Sequence, residues 1–193
     1  MLTMKFFSDA AIPDWMKPRA TWARASVLLT VSSLILGGGA IVPSIAQQPP
    51  RTSPSPTPSA TSTEALEQAI HTQINQYRRD QGLPPLTLDP RISEQARSHS
   101  QAMAAGRVAF GHDGFNQRGS AIRRTIAWNS IAENVATNQG YSDPDRRAVT
   151  GWINSSGHRQ NIQGQYNLTG IGVARNSRGQ YYFTQIFVRS RQN

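Results

Sequence analysis

Residues 47–63 read QQPPRTSPSPTPSATST, a tract almost wholly of Pro, Ser, Thr and Gln that divides the chain more sharply than any other feature. Such a composition buries too little apolar surface to offset the entropy of ordering, so it is expected to be a disordered, extended linker. A packed core is therefore confined to residues 64–193, a length that supports one domain. That domain has to hold together without cross-links. The chain has no cysteine, which excludes a disulfide framework, a thiolate metal site, a cysteine nucleophile and a lipidated cysteine.

Upstream of the linker, Lys5, Lys17, Arg19 and Arg24 precede an uncharged stretch from Ala25 to Gln48. The run from Val27 to Leu36 has the length of a signal-peptide apolar region, and Ser44-Ile45-Ala46 fits the small-x-small rule for cleavage before Gln47. Residues 1–46 are therefore read as a signal peptide, with an uncleaved membrane anchor as the competing reading. Ala25 to Ile45 approaches the length of a bilayer span, although Gly37-Gly38-Gly39 and Pro43 weaken it as a helix. Either way the protein is expected to be secreted or extracytoplasmic.

Within residues 64–193 the apolar pattern changes period once. Leu66, Ile70, Ile74 and Tyr77 recur at helical spacing behind a possible capping box of Thr61 and Glu64, until Gly82 and Pro84. A second helix is predicted from Asp89-Pro90, with Ile92, Ala96, His99 and Met103 on its stripe, so that His99 faces a core. A third opens at Asp143-Pro144, puts Ala148, Val149 and Trp152 on one side and is expected to end at Gly157. From Leu168 the segments Leu168–Ala174 and Tyr181–Val188, separated by Asn176-Ser177-Arg178-Gly179, predict an antiparallel hairpin. Helices first and strands later predict an α+β layered domain and argue against a doubly wound nucleotide fold. Gly170-x-Gly172 sits inside a strand pattern and is not a phosphate loop.

The remaining polar residues fall in three stretches that read as loops: Gly111–Phe115, Ala132–Ala136 and Ser155–Ile162. They carry two imidazoles and a carboxylate, His112, Glu133 and His158. Two His and one Glu with an open position can hold zinc, and the same groups can act as acid and base without metal. Their separations form no local metal motif, and a structural role, with Glu133 capping backbone amides, stands beside both readings.

The order of Gly111-His112-x-Gly114-Phe115-x-x-Arg118, Ala132-Glu133-Asn134-Val135-Ala136, Trp152 to Ile162, Gly170-Ile171-Gly172-Val173 and Tyr181 to Phe187 resembles the bacterial branch of the CAP superfamily, also called the SCP-like extracellular domain. The resemblance implies a single α-β-α sandwich around a central antiparallel sheet, with a cleft lined by His and Glu. His112 matches the family's first cleft histidine and Glu133 the glutamate of its GEN-type motif, with Ala132 where glycine is usual. Tyr182 stands where the animal and plant branches carry a second histidine before the Phe-Thr-Gln segment, which here includes Gln185. The second acidic residue of those branches has no counterpart, and the Gly-His-Arg motif makes His158 the replacement. The cleft set is thus His112, Glu133, His158, Tyr182 and Gln185, with His112, Glu133 and His158 as ligands for a divalent metal such as zinc.

Two functions follow as expectations. One is a binding module that holds a lipid, cell-wall glycan or peptide at the cell surface; family members are linked to sterol or lipid binding, wall and defence roles, and occasional proteolysis. The other is a hydrolase in which Glu133 with His112 or His158 activates water. No Gly-x-Ser-x-Gly elbow and no HExxH helix is present. After Ala46 the chain has 16 Arg, no Lys and 9 acidic residues, a net +7, which suits an anionic envelope surface. Without a basic motif interleaved with stacking aromatics, nucleic acid is not the expected partner.

Overall fold

The computed structural model describes residues 62–191. The expected signal peptide or anchor, Thr61 and nearly all of the linker lie outside the described residues.

The amphipathic stripe from Leu66 becomes α1 (Thr63–Asp80), and its start is capped by Ser62, whose side chain accepts from the Ala65 N–H, in place of the expected Thr61–Glu64 box. After a two-residue strand β1 (Thr87–Leu88) comes α2 (Pro90–Ala104), where Asp89 accepts from the Arg91 N–H and Pro90 fills the first turn. Then follow α3 (Phe115–Arg123), β2 (Trp128–Asn138), α4 (Pro144–Asn154), α5 (Ser156–Gln163), β3 (Leu168–Arg175) and β4 (Tyr181–Ser190). The strands form one sheet in the order β1-β3-β4-β2. The predicted hairpin is β3–β4, antiparallel from Leu168↔Val188 to Arg175↔Tyr181, and β2 runs antiparallel to β4 on the other side. The short β1 adds a parallel edge, so the sheet is mixed although its three long strands are antiparallel.

Two helical layers cover the sheet. On one face Leu66, Ile70 and Ile74 of α1, Val149 and Trp152 of α4 and Ile162 of α5 pack against Ile171, Val173, Phe183 and Phe187. On the other, Ile92 and Ala96 of α2 and Ile122 of α3 pack on Ile186 and Val188. Alternate β4 residues thus feed opposite cores. Each large apolar side chain so buried contributes roughly 1.5–3 kcal/mol. A Cβ on Gly170 would lie 2.3 Å from Ile92 and Ser93 backbone, and one on Gly172 would lie 2.1 Å from the Arg97 amide. The Gly-x-Gly of β3 is therefore the seat on which the α2 backbone rests. Polar ties join the layers. Arg97 forks onto Glu67, which also accepts from the Val173 N–H, and Trp152 donates to the Val135 carbonyl.

Three expectations are corrected. Ala132–Ala136 is not loop but the middle of β2, an 11-residue edge strand whose Asn, Glu and Ala residues have poor strand propensity. Ser155–Ile162 is mostly helix: α4 stops at Asn154 because Ser155 is extended, and Gly157 lies inside α5 instead of ending its predecessor. α3 escaped notice because its buried face is Arg118, Gly119 and Ile122, which has no apolar periodicity.

Candidate functional site

The site forms around the edge strand β2, because successive residues of a strand point to opposite faces. Glu133 points toward the α2–α3 layer, where its carboxylate meets Arg118 of α3 and His112 of the preceding loop. Asn134 points toward α5, where its amide donates to the His158 carbonyl and its Oδ1 accepts from Asn161. Asn161 also donates to the Glu133 carbonyl. One dipeptide of the edge strand therefore anchors both histidine-bearing segments.

Arg118 is the residue that sequence reasoning quoted but did not count in the site. Its Nε donates to Glu133 Oε2 and its Nη2 to Oε1, both at 2.7 Å, and its Nη1 donates to the Asp113 carbonyl. The side chains of Arg118 and Glu133 are 9% and 1% exposed, so this is a buried fork. Gly114, at φ 78°, turns the loop into α3, and a Cβ there would lie 3.2 Å from Arg118 Nη1. His99 donates from Nε2 to the Gly111 carbonyl at 2.8 Å, pinning the start of the same loop to α2. It is buried as expected, and burial lowers its pKa.

His112 Nδ1 lies 3.0 Å from Glu133 Oε1. A carboxylate only accepts, so the network assigns the proton to Nδ1 and leaves the neutral ring with a lone pair on Nε2. The imidazole is 52% exposed, and Nε2 makes no hydrogen bond with a described residue. His158 is half-buried; burial lowers its pKa, and the charge of His112 is a lesser cause in the same direction. Its ring has no hydrogen-bond partner among the described residues. Among the described residues no hydrogen bond joins Tyr182 or Gln185 to either histidine. The Tyr182 ring packs with Met103 and Val135 and its hydroxyl donates to Gln180, while Gln185 is fully buried and donates to Thr169.

The three-ligand metal centre does not fit this geometry. Both Glu133 oxygens are already engaged, and a divalent cation there would face the Arg118 guanidinium. Among the described residues no group of three or more His, Cys, Asp or Glu is arranged to hold a metal. Nor is any described helix long and apolar enough to cross a membrane.

Comparison with known proteins gives consistent relatives. The Bacillus subtilis (strain 168) protein YkwD is 34% identical over 136 residues, which cover 68% of this chain and 50% of YkwD. The chain thus spans about half the length of the curated relative it matches. An extracellular protein containing a SCP domain from Bacillus anthracis superposes with a TM-score of 0.54 at 28% identity, over 66% of this chain and 41% of that one. An outer surface protein of Borrelia burgdorferi matches in fold with a TM-score of 0.57 at 18% identity, over 67% of this chain and 96% of that one. The model of the CAP group, described as the cysteine-rich secretory protein family, matches residues 71–187, which include the whole His112, Glu133 and His158 constellation. With sheet, layers and motif order in agreement, this cysteine-free chain belongs to the CAP family, in its bacterial SCP-like form.

Proposed function

We propose that this CAP domain is exported and acts at the cell surface by binding a ligand, not by turning one over, with His112 and His158 as the recognition groups of the cleft. The observation that carries the reading is the Arg118 fork on Glu133. A base in this position would be Glu133 itself, His112 backed by Glu133, or His158, whose ring has no carboxylate to orient it among the described residues. Both Glu133 oxygens already accept hydrogen bonds, Oε1 from His112 and Arg118 and Oε2 from Arg118. His112 could take a proton on Nε2, but the carboxylate behind it is shared with the Arg118 guanidinium. Recognition makes no such demand. An acceptor nitrogen held in fixed orientation suits a ligand hydroxyl or amide N–H, which favours a glycan or peptide over a lipid chain. Relatives described as extracellular or outer surface proteins support the location.

The test is a panel of peptidoglycan fragments, peptides and phospholipid vesicles, read for both retention and product formation. Retention of intact glycan or peptide, lost in His112→Ala and His158→Ala, is expected. Product release that Glu133→Gln abolishes would establish the hydrolase instead. Zinc calorimetry separates the metal reading: binding lost in each of His112→Ala, Glu133→Gln and His158→Ala would restore the three-ligand centre.

A further inference from the structure

A groove of about 730 Å³, lined by none of His112, Glu133 and His158, runs between the end of α1, the segment after α5 and the ends of β2 and β4. Arg78, Arg189 and Arg191 line it, together with Asn129, Gln165 and Tyr166, and no acidic residue does. We propose that this groove binds an anionic carbohydrate polymer, a strand carrying phosphate or carboxylate groups along a sugar or polyol backbone.

The floor is Arg78, only 1% exposed. Its guanidinium donates to the carbonyls of Pro84, Ile162 and Gly164, all neutral acceptors. Burial lowers its pKa, and no carboxylate among the described residues is paired with it. A buried cation without a counter-ion among the described residues is unusual, and its field is left to the groove above it. The rim repeats the pattern. Arg189 donates to Gln165 Oε1 and Arg191 to Asn129 Oδ1, so the side-chain partners of both are neutral amides. Both remain exposed and keep N–H donors for a ligand. Three guanidinium groups along one groove, held by neutral acceptors, make a preorganised anion track.

Size and lining choose the polymer. The volume suits several sugar or polyol units, not one phosphate. The NH2 groups of Asn129 and Gln165 suit hydroxyl recognition, whereas Tyr166 is the one aromatic ring in the lining and is itself packed at 5.6 Å on Phe187. Nucleic acid would require a series of stacking platforms.

The test titrates the full chain with poly(glycerol phosphate) and polygalacturonate, with uncharged dextran and oligothymidylate as controls. Arg189→Gln/Arg191→Gln is compared with Arg107→Gln/Arg178→Gln, which removes the same charge from exposed positions elsewhere. The groove variant should keep the wild-type melting temperature and lose about tenfold or more in affinity for at least one anionic polymer, while the control changes by less than about twofold. The salt slope should shrink by about two ions in the groove variant only. Equal losses in both variants, no binding of either anionic polymer, or tighter binding of oligothymidylate would each overturn the proposal.

Discussion

Replacing Arg118 by Met removes the guanidinium but keeps most of the side-chain volume, leaving the Glu133 carboxylate at 1% exposure with His112 as its remaining side-chain donor. Breaking a buried pair in this way costs about 3–5 kcal/mol, since the partner's desolvation is no longer offset. For the 130 residues described, the unfolding entropy is about 0.27 kcal/mol/K, so the melting temperature should fall by about 11–18 °C. Arg118→Lys keeps the charge without the fork and should fall in between. The decisive assay is a double-mutant cycle by thermal and urea unfolding. Arg118→Met/Glu133→Gln removes both charges and should recover about 2–3 kcal/mol relative to additivity. Additive losses, or an Arg118→Met variant within about 1 kcal/mol of wild type, would refute the idea that Arg118 holds Glu133.

Other outcomes follow from the same geometry. Gly172→Ala places a Cβ 2.1 Å from the Arg97 amide, so α2 must lift from β3 by about 1 Å; a loss of about 3 kcal/mol or more in urea unfolding is expected, and a near-neutral variant would contradict the packing. Glu67→Ala strips the Arg97 fork and the acceptor of the Val173 N–H, and should cost about 2–4 kcal/mol in the same assay, whereas a loss under about 0.5 kcal/mol would deny the tie. Burial lowers the pKa of both His99 and His158, so the unfolded chain binds protons more readily. Stability should be complete above about pH 6.5 and decline as pH falls below it, with a shallower decline in His158→Gln; identical pH profiles would remove His158 from the titration.

How much of this was legible follows from which signals were apolar. α1, α2 and the β3–β4 hairpin announced themselves because their core faces are Leu, Ile, Val and Phe at regular spacing. α3 and β2 did not, because their inward residues include Arg118, Glu133 and Asn134, chosen for one another and not for hydrophobicity. His112, Glu133 and His158 could be named from motif order, but not their relation. Only the pleat of β2 reveals that Glu133 and Asn134 serve opposite layers. The Arg118 fork was written in the Gly-His-x-Gly-Phe-x-x-Arg spacing, one helical turn past the loop, yet α3 had to be recognised as a helix before its direction made sense. Gly170 and Gly172 were correctly excluded as a phosphate loop, while their purpose depended on a helix far away in sequence.

The central claim is that Arg118 and Glu133 set His112 so that its Nε2 lone pair meets the ligand. The direct measurement is a nitrogen–proton correlation spectrum of the chain labelled at histidine nitrogens, near pH 7.5. The account predicts that His112 carries its proton on Nδ1 with Nε2 unprotonated, and that Glu133→Gln weakens this bias. A His112 found with its proton on Nε2, or one unaffected by Glu133→Gln, would contradict it.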